Sequence, residues 1–179
     1  VLRQGVDRRQ ELLAELKSRA GSHDMLAGLE RELEASRSLA GLTSVRGPGL
    51  VMVLADGDPG GVEAGIVHDY DLRDAINTLW ATGAEAICVN GVRMTSGTSI
   101  YCAGNTVVIG GVRQSPPFAI HAIGDQSLME RGLHVDPELA RLRLMEREGR
   151  LAFQVELRSQ VQCPAHAGAP AFQYARAGE

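Results

Sequence analysis

The chain has 179 residues, of which 44% are hydrophobic and 4% aromatic, and a net charge of −4 at pH 7. That length holds one ordinary domain plus a short appendage. The acidic balance excludes the clustered basic surface that a nucleic-acid partner requires, and no run approaches the ~18 apolar residues that span a bilayer.

Residues 1–40 read as a helical, coiled-coil-like segment. Leu2, Val6, Leu13, Leu16 and Ala20 follow alternate spacings of four and three, with Arg9 in one seam position. Gly21-Ser22-His23-Asp24 interrupts the seam, and Leu26, Leu29, Leu33, Ser36 and Ala40 resume it in another phase. A narrow apolar seam on a charged helix needs cover. The cover is either the same helix of a second chain, giving a homodimer, or the domain that follows. The chain opens on Val1 rather than Met, with the expectation that something upstream has been removed.

Residues 41–165 carry an α/β pattern, and 166–179 form an Ala- and Gly-rich tail. Leu50 to Ala55 is an unbroken apolar run rich in Val, too short for a helix, and reads as a strand buried on both faces. Asp56-Gly57-Asp58-Pro59-Gly60-Gly61 is turn chemistry. Leu72, Ala75, Ile76, Leu79 and Trp80 then make one apolar stripe, predicting a helix from about Asp69 to Thr82 that buries Leu72, Ile76, Leu79 and Trp80. Asp69 or Asp71 caps its start and Gly83 supplies a left-handed stop. Ala86 to Val89 is the next strand, so a βαβ unit with parallel, right-handed strands is expected.

Asn90-Gly91 reads as a bulge in a strand that continues through Val92 and Met94. Ile100–Cys102 and Thr106–Ile109 are short strands around a turn at Gly104, and Gly110 to Pro117 is a loop. Phe118 to Ile123 is a further strand, and Ser127 caps a short helix ending near Leu133. Asp136-Pro137-Glu138 starts another helix whose apolar face is Leu139, Leu142 and Met145, with Gly149 at its end. Leu151 to Val161 alternates as a strand with one buried face. The fold expected is α/β (α+β): a mixed sheet on a split βαβ, ferredoxin-like plan with an extra hairpin strand.

Six residues are candidates for ligand binding. Asp56 lies at the end of the first strand, where open α/β sheets place ligands. His68, Asp69 and Asp71 combine imidazole and carboxylates, the groups of metal sites and acid–base chemistry. Asn90 and Arg93 are polar residues at the end of the second strand, and Arg93 could hold an anion. Turn formation, helix capping and a surface ion pair account for the same residues, and the sequence leaves both readings open. Phosphate-loop, dinucleotide, nucleophile-elbow and zinc motifs are missing, so no cofactor, metal or catalytic residue is implied. Cys88 and Cys102 could sit on neighbouring strands and bridge, or serve as small hydrophobes.

The stretches AGLTSVRGPGLVMVLAD, IVHDYDLRDAINTLWATGAEAICVNGVRM, IYCAGNTVVIGG, PFAIHAIGD and QVQCPAHAG together resemble the YlxW/YlxX-like bacterial family, a domain-of-unknown-function family. The resemblance covers essentially the whole chain. It implies an N-terminal membrane anchor, a coiled-coil-like helix and an α/β domain outside the cytoplasm. It also implies protein partners among envelope or division proteins, and no established activity. His166 stands where the family's terminal P-A-Y motif carries an aromatic. The reading is therefore a domain working through protein interaction, against a small-ligand-binding domain or enzyme built on the six polar residues.

Overall fold

The computed structural model describes residues 8–15, 23–58, 60 and 64–167. The chain divides into two compact units, Val1–Ser44 with Ala165–Glu179, and Val45–Pro164. In the first unit, residues 8–15 (α1) and His23–Leu39 (α2) are helical. Leu13 and Leu33 are buried in one cluster with Leu26, Leu29 and Leu42, and Arg9 lies 3.8 Å from Glu32. Leu13 of the first seam thus meets Leu26, Leu29 and Leu33 of the second within one chain, a cover that the spacing alone did not suggest. Leu2, Val6, Leu16, Ala20 and Gly21 of those seams lie outside the described residues, as do Pro59, Gly61 and the tail from 168 on. The His166 amide donates to the Gly41 carbonyl at 2.8 Å, fixing the described part of the tail to the end of α2.

In the second unit the strands are Val45–Asp56 (β1), Ala86–Val89 (β2), Val92–Arg93 (β3), Ile100–Ala103 (β4), Thr106–Ile109 (β5), Val112–Gln114 (β6), Phe118–Ile123 (β7) and Leu151–Cys163 (β8). Among the described residues they form a five-stranded sheet ordered β3-β2-β7-β1-β8 and a three-stranded sheet ordered β4-β5-β6. β7 runs antiparallel to both β1 and β2. The expected βαβ unit is therefore split: β1 and β2 point the same way with β7 between them. With β8 antiparallel to β1 on the outer side, this is the ferredoxin-like order, extended beyond β2 by the short strand β3, while the hairpin expected at Ile100–Ile109 joins β6 in the separate smaller sheet.

Alternation decides which side chains face which layer. Leu50, Met52 and Leu54 of β1, Ile87 and Val89 of β2, and Phe118, Ile120 and Ala122 of β7 share one buried cluster. It also takes Leu72, Ala75, Ile76 and Leu79 from the helix Asp69–Ala81 (α3), Met129 and Leu133 from Gln126–Val135 (α4), and Leu142 and Met145 from Ala140–Arg147 (α5). Ile100, Val107 and Ile109 bring the smaller sheet into the same core. The intervening residues Val51, Ala86, Cys88 and Ile123 face the other way and pack with Val161 and Cys163 from the end of β8.

Several expectations need correction. Trp80 is not buried with the α3 stripe; it is 39% exposed. At roughly 100° per residue it stands about 80° round the helix from Leu72. Burial of Thr78 and Asp71 shows that the packed face is turned the other way, toward α4 and the 3-10 turn Pro137–Leu139. Asn90-Gly91 is a hairpin turn rather than a bulge: Val89 pairs with Val92 and Cys88 with Arg93. The φ values of 45° and 82° at the two turn residues are those of the two-residue turn that Asn-Gly favours. Gly110-Gly111, with φ of 57° and 82°, makes the same kind of turn, so the presumed loop after Ile109 contains the strand β6. The cap of α4 is Asp125, whose carboxylate accepts from the Ser127 and Leu128 amides, not Ser127. Cys88 has Cys163 as its sulfur neighbour, not Cys102.

Candidate functional site

The sequence candidates separate into two groups. The first gathers at the start of α3. Asp56, the last residue of β1, accepts a hydrogen bond from the Val67 amide at 2.8 Å, which draws the segment before α3 against the strand end. His68 then occupies the N-cap position with extended backbone, and its amide donates to Asp71 Oδ2 at 2.9 Å. This is one half of a capping box, with the carboxylate at the helix end where the backbone dipole favours negative charge. The His68 side chain turns back, its Nδ1 2.9 Å from the Ile66 carbonyl.

Asp71 is 2% exposed, and it is not left as an isolated charge. Arg141 of α5 donates through Nη2 to both carboxylate oxygens, at 2.6 Å to Oδ2. The same guanidinium lies 5.0 Å from the centroid of the Tyr70 ring, and Tyr70 stacks on His68 with centroids 5.1 Å apart and planes 9° off parallel. The arrangement is a layered assembly of imidazole, phenol ring, guanidinium and buried carboxylate. Its cation and anion neutralise each other, and the Tyr70 ring lies against the guanidinium. Asp69 faces elsewhere: it sits 3.7 Å from Arg73 and accepts from the Cys102 thiol at 3.3 Å, linking α3 to β4 of the smaller sheet.

The second group lies at the β2–β3 hairpin. Asn90 Oδ1 accepts from the Ala119 amide at 2.8 Å, while its Nδ2 donates to the Pro117 carbonyl at 3.3 Å. Asn90 thus clips the entry of β7 to the turn. Arg93 is 5% exposed and donates to the Pro164 carbonyl at 3.2 Å. As the register partner of Cys88, it projects from the sheet face opposite the helices. The contacts of the Asn90–Arg93 group run to β7 and Pro164, whereas those of the His68–Asp71 group run to β1, α5 and the smaller sheet. Among the described residues, no cluster of three His, Cys, Asp or Glu side chains is placed to hold a metal ion.

Sequence reasoning missed Arg141, Tyr70 and Arg143. Arg141 lies seventy positions from Asp71, and only tertiary packing brings it there. Arg143 donates to the Leu133 and Asp136 carbonyls at 2.9 and 2.7 Å, closing the end of α4. A basic residue beside a helix C-terminus is a recognisable signal within one helix, but here the arginine comes from the next helix. Asp136 caps the 3-10 turn through the Glu138 amide, the role expected of it, and it also accepts from the Thr78 hydroxyl at 2.7 Å, a contact between elements that the sequence did not signal. The Thr78 hydroxyl, with the Glu138 amide and Arg143 adding to it, holds the Asp136 carboxyl below the usual carboxylate range.

Residues 32–176 match the family described as "Bacterial protein of unknown function (DUF881)". The UPF0749 protein YlxW of Bacillus subtilis is 34% identical over 108 residues, which cover 58% of this chain and 47% of that protein. The UPF0749 protein Rv1823 of Mycobacterium tuberculosis is 37% identical over 81 residues, 45% of this chain and 26% of that one. The chain therefore spans about half or less of the length of these curated relatives. A solved structure, titled as an uncharacterized conserved protein from Mycobacterium tuberculosis, superposes with a TM-score of 0.63 at 26% identity. It covers 82% of this chain and 99% of its own.

Proposed function

The chain belongs to the bacterial family of unknown function DUF881, and from that premise we propose that it is the α+β domain of a membrane-anchored envelope protein that acts by engaging protein partners. The observation that carries this reading is how its candidate polar residues are used. Asp56 holds an amide, Asp71 a guanidinium and an amide, Asn90 the entry of β7, and Arg93 a carbonyl. Their hydrogen-bonding capacity goes into fixing loops and helix ends, whereas a substrate site keeps such groups convergent and open.

Outward-facing features supply the other half of the reading. Leu12, Met25 and Leu39 remain exposed on the helical segment, Leu39 at 91%, which favours pairing with a second chain through α1 and α2. β8 is an edge strand with β1 as its partner in the sheet, and edge strands are ready-made surfaces for another chain. The anchor and the placement outside the cytoplasm come from the family resemblance, as does an association with cell division. The greater length of the relatives leaves room for an anchor. No helix among the described residues is long and apolar enough to cross a membrane.

Three measurements test the proposal. A reporter enzyme active only outside the cytoplasm, fused behind the domain in the full-length protein, should be active in cells; activity from a cytoplasmic reporter alone removes the envelope assignment. Sedimentation at several concentrations, with and without residues 1–40, should show a dimer that is lost with the helices. Stoichiometric metal in the purified protein that disappears in His68→Ala would instead point to a ligand site at the start of α3.

A further inference from the structure

On the sheet face away from the helices, Cys88 of β2 and Cys163 at the end of β8 hold their sulfurs 2.7 Å apart. Both side chains are buried, at 2% and 0% exposure, and both are thiols here. They sit in an apolar cluster with Val51, Ala86, Ile123 and Val161. Two further contacts are long and weak: Cys88 to the Gln162 carbonyl at 3.7 Å and Cys163 to the His121 carbonyl at 3.6 Å. Thiols are poor hydrogen-bond donors, so these contacts do not explain why two sulfurs are brought together. The strands responsible are far apart in the sheet order, since β7 and β1 lie between β2 and β8. The end of β8 reaches Cys88 because β1 and β8 shift register between Gly47 and Gly49 and bend across the back of the sheet.

We propose that Cys88 and Cys163 are a dithiol–disulfide pair, closed by exchange with a disulfide-bearing oxidant, and that the bridge locks the end of β8 onto β2. Cys88 is the attacking thiol. The hydrogen bond from Cys163, and then the Arg93 guanidinium, hold it below the ordinary thiol range despite its burial. Cys163 is pushed the other way by its hydrogen bond to Cys88 and by burial, and it resolves the intermediate. The Cys88 thiolate attacks one sulfur of the oxidant, whose other sulfur leaves and takes up a proton. Cys163 then gives up its proton and attacks Cys88 in the mixed disulfide, releasing the second oxidant thiol. Two S–H bonds and the oxidant's S–S bond are exchanged for one S–S bond and two oxidant S–H bonds, with two electrons passing to the oxidant.

Because both sulfurs are buried, the oxidant reaches them only while the end of β8 is lifted, during folding or by local opening. β8 is an edge strand, so its end lifts by giving up its pairing with β1, the Arg93 bond to the Pro164 carbonyl and the packing of Val161 and Cys163. Closure then removes that opening. Cys102 stands outside the pair: it is exposed and bound to Asp69.

The test uses the full chain carrying Cys102→Ser, with the unsubstituted chain mapped in parallel. Each is refolded in oxidised glutathione, then denatured, alkylated and weighed. The expected product is lighter than the thiol form by two hydrogens and resists alkylation at both positions. It yields a peptide pair joining Cys88 to Cys163 that reductant separates. Its thermal unfolding midpoint rises relative to the reduced chain and returns on reduction, and Cys88→Ser abolishes the rise. Both thiols remaining open to alkylation, or glutathione adducts and bridges between chains as the sole products, overturn the proposal. A bridge that leaves the midpoint unmoved overturns the locking role.

Discussion

On one face of the five-stranded sheet, Leu50, Met52, Leu54, Phe118 and Ile120 lie under three helices; on the other, Val51, Ala86, Cys88, Ile123, Val161 and Cys163 are covered by strand ends that bend over them. The strands are the same and the alternation is the same. What differs is the cover. Helices stand well off a sheet and leave room that large side chains must fill. A strand end laid across the sheet comes close, and only small residues and bare backbone fit beneath it. The helix face is therefore sensitive to lost volume, and the back face to added volume.

The largest expected effect follows from the first half of that contrast. Phe118 is fully buried under the helices, and Phe118→Ala should cost about 3 to 5 kcal/mol in urea unfolding. Val161→Ala on the back face should cost about 1.5 kcal/mol, the value of the methyl groups removed. Equal losses would break the comparison. Gly49→Ala tests the other half. A Cβ at Gly49 would stand 1.9 Å from the Ala122 carbonyl oxygen and 2.9 Å from the Ile123 Cα. Both are backbone atoms of β7, paired with Gly49 in the sheet, so the strands themselves must part. A loss of about 3 kcal/mol is expected from adding one methyl group, and a loss under about 1 kcal/mol would show that β1 and β7 part easily at this point.

These faces were unequally legible in the sequence. The apolar runs at Leu50–Ala55 and Phe118–Ile123, the α3 stripe and the Asp136-Pro137-Glu138 start all act within one element, and local pattern revealed them. From them came the split βαβ plan. The back-face core depends on a bend of β1 and β8 and on pairs such as Cys88 with Cys163, separated by 75 positions, which no spacing rule encodes. The turns fell between the two. Asn90-Gly91 and Gly110-Gly111 carry the chemistry of two-residue hairpins, yet the short β3 and β6 they introduce are too brief for alternation to register. The candidate site divides in the same way: a carboxylate at the start of α3 was readable within its helix, although His68, and not Asp69 or Asp71, takes the N-cap position, whereas the Arg141 partner of Asp71 was not.

A smaller effect sharpens the account of how the helix layer is held. Thr78 is buried on α3 and donates to Asp136, tying α3 to the turn before α5. The folded carboxyl of Asp136 titrates below its unfolded counterpart, whose pKa is about 3.9. A depressed carboxylate contributes stability that is fully present above the unfolded pKa and lost as pH falls through the folded one. Lowering the pH from 6 to below 3 should therefore reduce the denaturation midpoint. In Asp136→Asn that acid-dependent part should shrink, because the amide still caps the turn about as well as the carboxylate but has no charge to lose. An unchanged acid limb in the variant would mean that the tether contributes nothing.

The smallest effect belongs to Trp80, and it marks where the helix layer ends. Trp80 is the single tryptophan of the chain, so its fluorescence reports one place on α3. Periodicity alone assigns it to the buried stripe, because eight residues after Leu72 is close to a whole number of turns. The remainder is what matters: about 80° separates the two side chains. The buried arc of α3 instead extends the other way, through Asp71 and Thr78, because Gly132 lets α4 approach Thr82 on that side. A Cβ at Gly132 would fall 2.4 Å from the Thr82 Cγ2. Trp80 is left at the rim with 39% of its surface in water. Its emission should sit toward the red and be quenched by iodide in the native state, and Trp80→Ala should cost less than about 1 kcal/mol, as a change at the surface does. A blue-shifted, unquenched emission with a loss of several kcal/mol would put Trp80 back under the layer. It would also mean that α3 is rotated on the sheet, which would take Thr78 away from Asp136 and Asp71 away from Arg141.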